Sequence, residues 1–248
     1  MNDEGVIAEE SRTDWRIANN DALSALDFWH GIGYNNGIDM IDMEDKSVKH
    51  YWIKKADREI DWSAVERLEI GCKYLDTPTE IRAFAQICYN ADGIQVHLWS
   101  ENDEVRAEET GPLGSPCKDS CLEFFFSPME GDLRYFNIEF NFNGCLFLGF
   151  GNGASDLTRL ICDDAKELFS PNISRTDTGW EIFYTVPYHF IRRFFPDFTI
   201  KKGKTVRANC YKCADLTVPA NYLSWSPVDP DRFTFHNPER FGLMEFEV

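Results

Sequence analysis

Residues 135–142 read Tyr-Phe-Asn-Ile-Glu-Phe-Asn-Phe, followed by Asn143-Gly144. Successive side chains of a β-strand point to opposite faces. Phe136, Ile138, Phe140 and Phe142 then share one face, and Tyr135, Asn137, Glu139 and Asn141 share the other. A helical period would scatter both sets, so the stretch predicts a half-buried strand. Asn143-Gly144 is a tight hairpin signal, as is Asn90-Ala-Asp-Gly93. Working outward, similar runs predict strands at His50–Lys54, Arg82–Tyr89, Ile94–Glu101 and Cys121–Ser127. Further runs follow at Cys145–Phe150, Trp180–Val186, Val206–Tyr211 and Leu243–Phe246. The single convincing helix, Tyr188–Phe195, begins after Pro187 and stops at Pro196. Residues 48–248 therefore read as an all-β antiparallel sandwich, immunoglobulin- or jelly-roll-like, with one short helix.

The first 47 residues are of another kind. They hold 11 acidic and 3 basic residues and read as a partly ordered acidic extension, with Leu23–Trp29 as its candidate docked helix. Over all 248 residues, 42 acidic against 25 basic side chains leave a formal charge of −17. Such a field repels a duplex or an anionic lipid surface, which argues against nucleic acid and membrane as partners. No run approaches the roughly 18 apolar residues of a membrane helix. The opening MNDEGVIAEESRTDW puts acids where a signal peptide needs a basic patch and an apolar stretch. The expected location is the cytoplasm, with secretion only if a leader has been removed.

Eight cysteines are present. Cys88, Cys121, Cys145 and Cys210 sit inside apolar or β-like runs and are expected to be reduced and structural. Cys210-Tyr-Lys-Cys213 lies in a strand pattern, where side chains three apart face opposite ways, so it is not expected to act as a redox pair. Cys117 and Cys121 are too widely spaced for a zinc knuckle, and no second pair matches them.

Polar stripes recur. Gln95, His97, Trp99 and Glu101 oppose Ile94, Val96 and Leu98, while Arg207, Asn209 and Tyr211 oppose Val206, Ala208 and Cys210. An ordinary solvated face is rich in Lys and Glu, whereas these stripes are rich in Asn, Gln, Tyr and Trp. That mixture suits a sugar, whose apolar C–H face packs on a ring and whose hydroxyls both donate and accept. Gly149-Phe-Gly-Asn-Gly153 matches neither phosphate fingerprint and lacks the lysine. Asp119 is placed to cap or to bind a cation, and Glu123 faces away from Leu122, Phe124 and Phe126. Near the C-terminus, Trp225, Phe233 and Phe235 stand between prolines in loops fit for stacking a ligand or for plugging the end of a sandwich.

Six collinear stretches carry a resemblance: DSCLEFFFSP (119–128), YFNIEFNFNG (135–144), TGWEIFYTVP (178–187), RANCYKCAD (207–215), YLSWSPV (222–228) and FHNPERFG (235–242). With these the chain resembles the family 9 carbohydrate-binding modules, specifically the stand-alone family 9-like proteins of the DOMON-like β-sandwich group. The resemblance implies a sandwich that binds a sugar at one edge, clamped between two rings, with a role in carbohydrate catabolism. By motif position Glu123 matches the family glutamate, Asn137 and Glu139 the hydrogen-bonding stripe, and Phe235 the second clamp ring. Where the modules carry the first clamp tryptophan, this chain has Pro116.

The expected carbohydrate site is Glu123, Asn137, Glu139, Trp225, Phe235 and His236, with a saccharide as ligand and no catalytic residue. No protein partner is assigned. No cofactor is expected; calcium occurs in the family, but no dense Asp/Asn loop offers it a site here. Three other readings remain open: an interaction protein with a decayed sugar site, a glycoside hydrolase using Glu123 and Glu139, and haem binding through His97 or His236.

Overall fold

The computed structural model describes residues 16–17, 48–161, 165–229 and 231–248. The expected acidic extension, its Leu23–Trp29 helix included, lies outside the described residues except for Arg16–Ile17. In chain order the strands are β1 (Arg16–Ile17), β2 (His50–Lys55), β3 (Arg67–Glu69), β4 (Cys72–Tyr74) and β5 (Arg82–Tyr89). Next come β6 (Gly93–Glu101), β7 (Cys121–Ser127), β8 (Tyr135–Asn141), β9 (Leu146–Gly151) and β10 (Thr158–Ile161). The last are β11 (Asn172–Arg175), β12 (Trp180–Pro187), β13 (Thr205–Ala214), β14 (Asn221–Ser224) and β15 (Gly242–Phe246). Two short α-helices, α1 (Ala165–Phe169) and α2 (Tyr188–Phe194), and four 3-10 turns are found among the described residues.

The strand order β1-β10-β9-β8-β7-β13-β15-β2 forms one layer, called here the A layer. β5-β6-β12-β11 forms the facing B layer, and β2 links the two by pairing in parallel with both β15 and β5. The other pairings are antiparallel, and short turns join only the neighbours in sequence such as β5–β6 and β8–β9. The all-β sandwich read from the sequence is the observed fold, although the described residues carry two α-helices rather than one. The strands found in addition are β1, β3, β4, β10, β11 and β14, all six residues or fewer in length.

Alternation explains where the core sits. Phe124, Phe126, Phe136, Ile138 and Phe140 of the A layer meet Ala85, Ile87, Val96, Leu98 and Ile182 of the B layer. Each fully buried large side chain contributes about 2–3 kcal/mol of transfer free energy. β13 shows the consequence of period two most plainly. Its Val206, Ala208 and Cys210 enter that core, while Tyr211 and Cys213 belong to separate clusters on the far face.

The far face of the A layer is itself covered. Phe125, Tyr135 and Tyr211 pack with Val228, Phe233, Phe235 and Phe241 from the chain that follows β14. Asn209 fixes that chain: its amide donates to the Ser226 carbonyl at 3.0 Å and accepts from the Ser226 N–H at 2.9 Å. The Ser226 hydroxyl then donates to the Arg240 carbonyl at 2.8 Å. Among the described residues no helix is long and apolar enough to cross a membrane.

Candidate functional site

The floor of the site is the far stripe of the A layer. β7 and β8 set Glu123 opposite Glu139 and Phe125 opposite Asn137. β13 adds Tyr211 beside Glu123 and Cys213 beside Cys121. On the other side β9 brings Phe147 to Glu139 and Gly149 to Asn137, and β10 brings Arg159 to Gly149. Glu123, Asn137 and Glu139, read from three positions of period two, therefore meet on one surface.

That surface is well shielded, Asn137 at 0%, Glu123 at 2% and Glu139 at 7% exposure. Burial, reinforced by the charge of Glu139, pushes the Glu123 carboxyl well above its usual range. Burial likewise pushes Glu139 up to about 7, against the pull of the Asn137 amide and the Arg159 guanidinium. Neither amide atom of Asn137 has a hydrogen-bond partner of good geometry, and neither has Nε of Arg159. The terminal nitrogens of Arg159 are engaged by the carbonyls of Pro112, Leu113 and Gly114, and its guanidinium lies 4.6 Å above the Phe147 ring. Buried polar groups are almost always paired, and each that is not costs about 1–3 kcal/mol. Three such atoms lie along one row of the far face of the A layer.

The chain after β14 forms one wall. Phe235 stacks on Tyr211 with centroids 4.2 Å apart, and its carbonyl accepts from the Tyr211 hydroxyl at 3.0 Å. His236 Nδ1 meets the Tyr135 hydroxyl at 2.8 Å, and its ring lies 5.4 Å from Phe125. Burial lowers the pKa of His236 to about 4, so the ring is neutral near pH 7. Phe233 packs on Tyr74 at 5.3 Å. Phe233, Phe235 and His236 are each half-buried, so this wall is the accessible part of the site.

The opposite wall is the segment that leads into β7. Asp119, completely buried, accepts from the Glu108 and Glu109 N–H groups at 2.9 and 2.8 Å and from Asn141 Nδ2 at 2.7 Å. It also pairs with Arg106. The carboxylate that the sequence offered as a cap or cation ligand thus anchors a loop, and its oxygens are taken. Pro116 is buried at the start of a 3-10 turn through Lys118, whose half-buried Cys117 borders the floor.

Two aromatic expectations separate here. Phe235 stands over the floor, but Trp225 does not join it. Trp225 lies in the sandwich core near Tyr51, and a Cβ at Gly242 would come within 2.5 Å of its ring. The stripe of β6 also lies elsewhere, on the outer face of the B layer. There His97 is stacked between Phe183 at 3.9 Å and Trp99 at 4.6 Å. Its two nitrogens meet Gln86 and Glu181, each at 3.0 Å, which leaves neither for a haem iron. Sequence reading missed Arg159. Its signal was the Gly151-Asn-Gly153 turn, which carries β9 into the short strand β10 that bears it.

Comparison with known proteins places this geometry. A candidate carbohydrate-binding protein of Bacteroides uniformis ATCC 8492 shares 27% identity and a TM-score of 0.67, covering 81% of this chain and 100% of that one. A family 9 carbohydrate-binding module from Caldicellulosiruptor kristjanssonii in complex with glucose has a TM-score of 0.59 at 11% identity, covering 80% of this chain and 96% of its own. A module from the same organism in complex with cellotriose has a TM-score of 0.58 at 11% identity, covering 80% and 94%. At that identity the two modules show a common fold. No curated protein matches the chain. The sequence profile of carbohydrate-binding family 9 matches residues 56–246, and the chain belongs to that family.

Proposed function

We propose that the chain binds a mono- or oligosaccharide without catalysis, on the floor formed by Glu123, Asn137 and Glu139 under the Phe235 wall. The observation that carries the reading is the Asn137 amide, buried with donor and acceptor both unmatched beside a carboxyl and the Nε of Arg159. A sugar hydroxyl is donor and acceptor at once, so one ring could satisfy all three atoms. The glucose and cellotriose held by the two Caldicellulosiruptor modules support this class of ligand. Binding is favoured over hydrolysis because burial raises both carboxyls together. A glycosidase pair needs environments that push its two pKa values apart.

Calorimetric titration with glucose, xylose, cellobiose and cellotriose tests the proposal. Wild type is expected to bind at least one of them, and Glu123→Gln to weaken it at least about ten-fold, as loss of a hydrogen bond to a charged or buried partner does. Trp52→Ala, at an exposed ring away from the floor, should bind as wild type does. Silence with all four sugars at millimolar concentration overturns the reading.

A further inference from the structure

The saccharide reading uses Glu123 but leaves the two thiols beside it unused. Cys121 and Cys213 face each other across β7 and β13, and Glu123 follows Cys121 by two residues on the same face. Ligand atoms of the three lie within 4.8 Å of one another. Cys213 Sγ lies 2.7 Å from Glu123 Oε1, closer than a neutral thiol and a carboxyl oxygen ordinarily stand. All three are buried. A thiol is a weak hydrogen-bond donor and a weak acceptor, so a pair of them adds little to the recognition of sugar hydroxyls.

We propose that Cys121, Glu123 and Cys213 form a zinc site. Two sulfurs and one oxygen are the donor set of a borderline-soft cation, whereas calcium takes six or more oxygens. From bond lengths of about 2.3 Å to sulfur and 2.0 Å to oxygen, ligand atoms around tetrahedral zinc stand about 3.5–3.8 Å apart. The cluster is within an ångström or so of that arrangement before any metal enters. The antiparallel register imposes it, since cross-strand partners and i, i+2 neighbours cannot drift independently. Three protein ligands leave a fourth position for an oxygen from solvent or from a bound ligand. On binding, each thiol and the carboxyl release their protons to solvent. Spacing along the chain hid the site, because Cys121 and Cys213 are 92 residues apart and only the β7–β13 pairing unites them.

The test uses the full chain, purified with reductant, stripped with a chelator and titrated with zinc against a chromogenic chelator. Cobalt serves as a spectroscopic stand-in. One zinc per chain is expected, together with a thiolate-to-cobalt charge-transfer band. Cys213→Ser and Cys121→Ser should each weaken binding more than the roughly ten- to hundred-fold of an outer-shell change. Cys72→Ser, at a thiol outside the cluster that contacts the Trp225 carbonyl, should change nothing. Thermal melts of the metal-free variants check that they fold, and Glu123→Gln, which preserves volume, gives a second route to the same loss. The proposal is overturned by no stoichiometric uptake in reduced wild type, by folded serine variants that bind as tightly as wild type, or by cobalt spectra without sulfur ligation. It shares Glu123 with the saccharide reading but not its test: a chain that takes zinc but no sugar keeps this site and loses that function, and the converse result does the reverse.

Discussion

Asn137 is a residue held at a cost. Its neighbours in register, Phe125 and Gly149, carry no polar side chain; its amide leans on the Glu139 carboxyl, but neither amide atom forms a hydrogen bond of good geometry, and each such atom costs about 1–3 kcal/mol. Asn137→Leu keeps the branched shape and removes both atoms, and the strain of its greater bulk offsets part of the relief. It should raise stability by about 1–3 kcal/mol, read as a higher melting temperature, while abolishing saccharide binding in calorimetry. A loss of stability would show that the amide is satisfied within the fold. Trp225 gives the opposite case. Truncating it to Ala leaves a cavity in the core and should cost about 3–5 kcal/mol in urea unfolding. A cost below about 1 kcal/mol would contradict the core placement. Asn137 was legible because its strand fixes its face by alternation. Trp225 was not, because a residue just past a strand end has no period to say which side of the sheet it takes.

At the scale of elements, the site depends on a loop that a single carboxylate organises. Asp119 ties together Arg106, the N–H groups of Glu108 and Glu109, and Asn141 at the end of β8. Asp119→Ala would leave two backbone donors and the Asn141 amide without their acceptor and would leave Arg106 only Glu108 and the Lys118 carbonyl. Losing one partner of a buried charge pair costs about 3–5 kcal/mol, which urea titration should show as a shifted midpoint with an unchanged slope. Saccharide affinity should fall with it, because the Cys117 turn follows from that anchor. An unchanged midpoint would mean that the loop holds by other contacts. The long strands β5, β6, β7, β8, β12 and β13 were legible in the sequence, since seven or more residues of alternation outweigh chance. β3, β4, β10 and β14 were not, for three or four residues show no period and form only where a neighbouring strand supplies the partner. Arg159 was missed for that reason, and so was the layer to which each polar stripe belongs.

Seen whole, the described residues bury a core between the layers and two clusters on the far face of the A layer, the larger of them aromatic and lying beneath the chain that follows β14. His236 borders the aromatic cluster, 5.4 Å from the Phe125 ring, and its acid–base behaviour reports on that covering. Burial holds its folded pKa near 4 against an ordinary 6.5, so the folded state prefers the neutral ring. Below about pH 6.5 the unfolded chain takes up a proton that the folded chain refuses until about pH 4. The stability His236 contributes is therefore complete above pH 6.5 and drains away as the pH falls toward 4, with a ceiling of about 3 kcal/mol. Glu123 and Glu139, raised by burial, bias stability the other way over part of the same range. They are present in both wild type and His236→Gln, so the difference between the two proteins cancels them. Gln also keeps a polar atom for the Tyr135 hydroxyl. Measured by urea unfolding at pH 7.5 and again near pH 4.5, the advantage of wild type over His236→Gln should shrink by about 2–3 kcal/mol. A constant difference across that window would mean that the ring is hydrated in the folded state, and that the chain after β14 stands off the A layer instead of sealing its far face.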